Sequence, residues 1–289
     1  MQIEGAVALI TGAASGIGFG IATALARRKA TVILGDIDLE RARAAADTLR
    51  AAGLSAHALH LDVTRTASWE SAAREILAHG RLSILCNNAG AGGGRDPIEH
   101  YPIDRWQWVN AVNVTALLQG VKTFLPGMRL SGQPGHIVNT VSMLGIVATP
   151  NTVGYIATKF AAMGLCLQLR QELRGSPIGV SALCPGMVHT RIVETTARLS
   201  PGGQKTLDDE TIESMHAVMS SGVEPVKVGE RVARGIERNE FYIFTHPEWR
   251  SLVEGHYQEM LQAFGDAADP QHRDPIETIA AVQPGSPPR

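Results

Sequence analysis

The amino-acid sequence predicts an α/β fold in which a doubly wound parallel sheet of about seven strands lies between two layers of helices. Three observations predict it. Short apolar runs alternate with longer amphipathic stretches along the chain, the rhythm of repeated βαβ units. Several of these runs are unbroken Val/Ile/Leu segments without polar alternation, as strands covered on both faces must be. A glycine-rich turn, Thr11-Gly12-Ala13-Ala14-Ser15-Gly16-Ile17-Gly18, joins the first run to the first amphipathic stretch.

Strands are expected at 7–11, 31–36, 56–61, 82–87, 135–141, 179–184 and 241–245. Helices rich in Ala, Leu, Arg and Glu are expected at 17–29, 39–52 and 67–79, with longer ones at 103–128 and 153–174. The stretch 188–222 is polar and loop-like around Pro201-Gly202-Gly203 and is expected to form a lid over a substrate. His246-Pro247-Glu248 opens a further helix to about residue 264, with Pro in its first turn. The remainder, 266–289, carries Pro270, Pro275, Pro284, Pro287 and Pro288 and reads as an extended tail. A single catalytic domain over 1–265 is therefore expected.

Composition narrows the function. Hydrophobic residues make up 44% of the 289 residues and charged residues 19%, enough apolar mass for a sizeable core. The formal net charge is -2, and no block of five like charges occurs, so neither nucleic acid nor an anionic membrane is expected as a partner. No signal peptide precedes the first strand, and no apolar run reaches membrane-spanning length; a cytoplasmic protein is expected. Cys86, Cys166 and Cys184 are far apart, without CxxC spacing, and read as buried free thiols in a reducing compartment. No His/Cys/Asp cluster with metal-ligand spacing occurs, and no metal is expected.

The glycine turn has the context of a phosphate cradle. It follows a strand and opens a helix, whose N-terminus offers unpaired N–H groups and the positive end of its dipole. Asp36 ends the second strand, 18 residues beyond Gly18. A carboxylate there accepts the ribose hydroxyls of NAD and repels the 2′-phosphate of NADP. The next positions, Ile37 and Asp38, supply no cation, so NAD is the expected cofactor. Asp38 is the better N-cap for the helix starting near Leu39.

Tyr155-Ile156-Ala157-Thr158-Lys159 opens a helical stretch, and the i, i+4 spacing puts phenol and ammonium on one face. A nearby Lys charge, together with the cationic nicotinamide of NAD⁺, favours the phenolate and should lower the phenol pKa from about 10 toward working pH, as removal of an alcohol proton requires. Ser142 stands 13 residues before Tyr155, just after a strand. Asn113 lies in the helical stretch before that strand. Asp62-Val63, Asn87-Asn88-Ala89-Gly90 and Pro185-Gly186 all sit at carboxyl ends of strands, where a doubly wound sheet binds its ligand.

These residues, in this order and over about 7–190, resemble the short-chain dehydrogenase/reductase family, the single-domain, NAD-dependent, Rossmann-like type; the turn has that family's G-x-x-x-G-x-G spacing. The resemblance implies a cofactor site of Gly12, Ser15, Gly16, Ile17, Gly18, Asp36, Asp62, Val63, Asn88, Ala89, Gly90, Tyr155, Lys159, Pro185, Gly186, Val188 and Thr190. Within it Asp62 and Val63 contact adenine, and Gly186, Val188 and Thr190 hold the nicotinamide end. It implies Tyr155 as the group exchanging the hydroxyl proton, Lys159 as its modulator on the nicotinamide ribose, Ser142 as the residue orienting the substrate oxygen, and Asn113 as the holder of a relay water. It also implies a homodimer or homotetramer, with 103–128 and 153–174 as interface helices.

The expected reaction is reversible hydride transfer between NAD(H) and a secondary alcohol or ketone with an apolar or aromatic body. Met143, Leu144, Ile146, Met187, Ile192, Val193, Leu199, Met215 and Met219 are the candidate pocket residues. His189 reads as a loop residue, and Arg95, Arg191 and Arg198 have no assigned place. The glycine run 90–94 is expected to be flexible beside the substrate. The segment after the last strand, with its tail, resembles bacterial family members that oxidise lignin-derived aryl alcohols. Two alternatives remain open: an NADP-dependent ketone reductase, against which only Asp36 stands, and a non-catalytic NAD-binding regulatory protein, which would have no need of Ser142, Tyr155 and Lys159 together.

Overall fold

The computed structural model of the protein describes residues 1–150, 152–201, 213–214, 217 and 219–267. The strands are β1 Val7–Thr11, β2 Thr31–Asp36, β3 Ala56–His60, β4 Leu82–Asn87, β5 Gly135–Thr140, β6 Ile178–Cys184 and β7 Tyr242–Phe244. They form one parallel sheet in the order β3-β2-β1-β4-β5-β6-β7. The helices are α1 Gly16–Arg27, α2 Leu39–Ala51, α3 Thr66–Ile76, α4 Ile103–Asn110, α5 Ala116–Leu130, α6 Val153–Glu172, α7 Ile192–Leu199, α8 Pro225–Arg238 and α9 Arg250–Ala263.

Successive residues of a strand point to opposite faces, so a doubly covered sheet needs two apolar sets per strand. Leu9, Ile33, Leu85 and Ile137 pack with Trp69 of α3, Phe124 of α5 and Cys166 of α6 on one side. Ala8, Ile10, Val32, Leu34, Ile84 and Val138 pack with Leu25 of α1, Leu49 of α2 and Val232 of α8 on the other. This is why the strands read as continuous apolar runs. The strand order reverses between β1 and β4, and the crevice beyond their carboxyl ends is where such sheets take ligands.

Three expectations change. Part of the loop-like stretch 188–222 is helical: α7 carries Ile192, Thr196 and Leu199 on one face, and Val188 bridges to Val223. Gly202, Gly203 and Met215 lie outside the described residues, as does the tail from 268. The stretch 103–128 is not one helix, because a π-helical turn, Ala111–Thr115, separates α4 from α5. Pro247 opens a 3-10 turn, Pro247–Trp249, and the α-helix starts only at Arg250. Cys86, Cys166 and Cys184 are buried free thiols, as expected. Among the described residues no helix is long and apolar enough to cross a membrane, and no group of three or more His, Cys, Asp or Glu is placed to hold a metal.

Candidate active site

A cleft of about 380 Å³ runs along the carboxyl ends of the strands. Every site residue singled out from the sequence lines it except Gly18 and Asn113, which lie just beneath its floor.

The floor exists because main chains touch. Gly12 has φ +64°, and a Cβ there would stand 2.9 Å from Ala89 Cα. A Cβ on Gly18 would stand 2.3 Å from the Gly12 carbonyl oxygen and 2.7 Å from Asn88 Nδ2. Thr11 Oγ1 accepts from the Asn88 and Ala89 main-chain N–H groups, both at 2.9 Å, and Asn88 Nδ2 donates to the Thr11 carbonyl at 3.0 Å. The end of β1, the start of α1 and the end of β4 are thus clamped together. Ser15, the N-cap of α1, makes no side-chain cap bond, which leaves the first-turn N–H groups available to an anion. Asp36 Oδ2 accepts from Ala14 N at 3.0 Å, and Oδ1 from Asp38 N at 3.0 Å. Asp38 caps α2 by accepting from Arg41 N at 3.2 Å, as its position predicts. Asp62 Oδ1 accepts from Thr64 N and Oγ1 at 3.0 and 2.7 Å.

At the other end stand Ser142, Tyr155 and Lys159. Ser142 caps the 3-10 turn Met143–Gly145, its Oγ accepting from Leu144 N at 3.1 Å. Met143 N donates to the Pro185 carbonyl at 2.9 Å, which ties this turn to the end of β6. Tyr155 and Lys159 share a face at the start of α6, with Lys159 Nζ 5.4 Å from the phenol ring centroid. Lys159 is buried and donates to the Thr140 carbonyl at 3.0 Å. Asn113 occupies the π turn, and π turns are frequent at functional sites. Its Nδ2 donates to the Ala91 carbonyl at 2.9 Å and Thr158 Oγ1 at 3.0 Å, and its Oδ1 accepts from Ala91 N at 2.8 Å. Gly90 lies between Asn113 and Lys159; a Cβ there would meet Asn113 Oδ1 at 3.4 Å and Lys159 Nζ at 3.7 Å.

Burial sets the electrostatics. It lowers the Lys159 ammonium to about 8. It also raises the Tyr155 phenol above its usual value, against the smaller opposing effect of a hydrogen bond from Ser142. The lowering expected from the sequence rests on Lys159 together with the cationic nicotinamide; in the protein alone, desolvation of the phenolate dominates.

The glycine run expected to be flexible is tied down. Gly92 N donates to Thr196 Oγ1 of α7 at 2.8 Å, Tyr101 donates a short hydrogen bond to the Gly93 carbonyl, and Asp96 pairs with the buried Arg105. Arg198 of α7 reaches Asp38 Oδ2 at 3.7 Å, so this helix straddles the cleft. Of the candidate pocket residues, Ile192, Leu199 and Met219 line the cleft; Met143 and Ile146 are buried, and Met187 is exposed. Trp108 and Val112 also line it; their i, i+4 spacing was the available sequence signal. His189 does not line the cleft and pairs with Glu224 at 3.4 Å. Arg191 lines it, paired with Glu194, and Arg95 is exposed. His246, read from the sequence only as part of a helix start, is buried and bonded to the Gly186–Met187 main chain; no local pattern marks that contact.

The family model described as short chain dehydrogenase matches residues 6–199. The chain is 34% identical over 274 residues to a C alpha-dehydrogenase of Sphingobium sp. (strain NBRC 103272 / SYK-6), covering 93% of this chain and 88% of that protein. It is also 34% identical over 261 residues to a 3-alpha-(or 20-beta)-hydroxysteroid dehydrogenase of Mycobacterium bovis, covering 86% of this chain and 98% of that one. A short chain dehydrogenase/reductase from Burkholderia phymatum, solved in complex with NAD, superposes with a TM-score of 0.84 at 31% identity, over 95% of this chain and 99% of that chain. With the cleft, the clamped glycine turn and the Ser142–Tyr155–Lys159 cluster already in place, these matches establish that the chain belongs to the short-chain dehydrogenase/reductase family of oxidoreductases.

Proposed function

We propose that the protein interconverts secondary alcohols and ketones with NAD(H), using Tyr155 as the acid/base. The observation that carries this reading is the convergence of Ser142, Tyr155 and Lys159 at one end of a cleft whose other end has the clamped Gly12–Gly16 turn and Asp36. The residues fit a dinucleotide: Gly12 leaves no room for a side chain, the first turn of α1 offers N–H groups to a pyrophosphate, and the Asp36 carboxylate faces the cleft where a ribose would sit. Asp36 favours NAD over NADP. Arg198 and the cleft residue Arg191 are each engaged with a carboxylate, Asp38 and Glu194 respectively.

Bound NAD⁺ supplies the hydride acceptor for the carbinol hydrogen and a positive ring beside the site. Tyr155 takes the hydroxyl proton in oxidation and returns it in reduction. Ser142 donates to the substrate oxygen, steadying the charge that develops there. Lys159, buried and held by Thr140, places a proton-exchanging ammonium under the phenol. Both N–H bonds of Asn113 are spent on Ala91 and Thr158, so it holds the relay water through an oxygen. No regulatory protein that merely binds NAD requires this set.

Trp108, Val112, Ile192, Leu199 and Met219 favour an apolar or aromatic substrate body, and the likeness to a hydroxysteroid dehydrogenase supports that class. We also infer one catalytic domain over 1–265 with 188–222 as substrate lid, and a homodimer or homotetramer built on α5 and α6, whose Leu118, Leu130, Phe160 and Leu167 are exposed. The deciding experiment follows NADH formation with aryl carbinols, hydroxysteroids, aliphatic secondary alcohols and polyols, with NADP⁺ in parallel. Turnover of the apolar alcohols with NAD⁺ is expected. A preference for polyols would refute the substrate class, and a preference for NADP⁺ would refute the role of Asp36.

A further inference from the structure

We infer that His246 is a positioning residue for the nicotinamide end of the cleft: it fixes the Gly186–Met187 main chain, and Gly186 and Val188 line the cleft as the wall where the family resemblance puts the nicotinamide of the proposed function, on which this inference rests. His246 follows β7 and is 6% exposed. Its Nδ1 accepts from the Gly186 main-chain N–H at 3.0 Å, with Thr245 Oγ1 at 2.7 Å from the same nitrogen. Its Nε2 lies 2.7 Å from the Met187 carbonyl oxygen.

The partners dictate the tautomer. A main-chain N–H can only donate and a carbonyl can only accept, so Nδ1 is bare and Nε2 carries the proton. One ring therefore grips the two peptide units that flank the Gly186–Met187 bond. The ring face completes the contact: a Cβ on Gly186 would fall 2.8 Å from His246 Cγ and 3.0 Å from Trp249 Nε1, so residue 186 packs against both. The same Met187 carbonyl also accepts from Val223 N at 3.0 Å. The preceding residue, Pro185, accepts from Met143 N, beside Ser142. The wall is thus pinned on one side by His246 and Val223, and continues directly into the turn that carries Ser142.

The test compares NADH with ADP-ribose, which lacks the nicotinamide, by calorimetric titration of the full chain. His246→Phe keeps the ring against Gly186 and removes both hydrogen bonds. It is expected to weaken NADH at least about ten-fold while ADP-ribose binds as in the wild type, with the melting temperature recorded alongside. His246→Asn keeps an acceptor near the Nδ1 position and His246→Gln a donor near the Nε2 position; each is expected to recover part of the NADH loss, and these variants give the same comparison if the Phe variant does not fold. Unchanged NADH affinity in the folded variants, or equal loss of NADH and ADP-ribose, would overturn the inference while leaving the cofactor reading intact. Wild-type protein that binds no NADH would overturn both.

Discussion

Replacing Lys159 by Met should make the protein without cofactor more stable while abolishing its turnover. Lys159 is 4% exposed, and burial brings its pKa from 10.5 to about 8. The folded state therefore disfavours the ammonium that prevails at pH 7, and the gap corresponds to about 3 kcal/mol of destabilisation at that pH. Met fills similar volume without the charge. The lost bond to the Thr140 carbonyl gives back about 1 kcal/mol. A net gain near 2 kcal/mol would raise Tm by roughly 3–8 °C for a chain of this size. The pH dependence has a definite sign. Below about 8 both folded and unfolded wild-type chains hold the proton and the penalty is complete; between about 8 and 10.5 only the unfolded chain still holds it, and the wild type gains stability. The advantage of Lys159→Met should accordingly shrink as pH rises through that window. Differential scanning calorimetry of both proteins at pH 7 and pH 9.5 measures this. A variant that melts below the wild type at pH 7, or a gap that does not change with pH, would refute the reasoning.

Three further outcomes are expected. Tyr155→Phe should lower kcat by roughly a thousand-fold with NADH affinity unchanged in calorimetric titration; a variant with substantial turnover would rule out Tyr155 as acid/base. Asp36→Ala combined with Ile37→Arg should move the kcat/KM preference toward NADP⁺ by about a hundred-fold, and an unmoved ratio would show that Asp36 does not read the ribose. His136 is 1% exposed, bonded to Ser181 at 2.7 Å, and burial depresses its pKa to about 3. Between pH 6.5 and about 3 only the unfolded chain takes up that proton, so stability falls with pH at up to about 1.4 kcal/mol per pH unit; in urea titrations across that range His136→Gln should flatten the slope, and an unaltered slope would contradict the buried neutral imidazole.

The sheet was legible because two-sided burial writes itself into composition: Val7–Thr11 and Leu82–Asn87 have no polar alternation, and their bounds match the sequence reading. The site cluster was legible because each member sits where a strand ends or a helix begins. Three things were not. The helix Ile192–Leu199 was hidden by its polar residues and nearby glycines, although Ile192, Thr196 and Leu199 do carry a helical spacing. The direction of the Tyr155 shift depends on how much water the folded chain excludes, and a pattern of residues does not report that. The grip of His246 on residue 186 spans 60 positions and exists only after β6 and β7 have paired.

The π turn at Ala111–Thr115 has a consequence for how this chain can vary. A π turn wraps one residue more than an α turn, so it takes up a single extra residue locally and lets the helix beyond it keep its phase. Without the bulge that residue would rotate everything beyond it by about 100°, and Leu117, Val121, Phe124, Leu125 and Met128 would swing away from the core they now fill. The bulge thus lets Asn113 reach Ala91 and Thr158 while a whole helical face stays seated on the core. Loss of one residue within this turn would close the segment as regular α and move Asn113, whereas the packed face beyond would be spared.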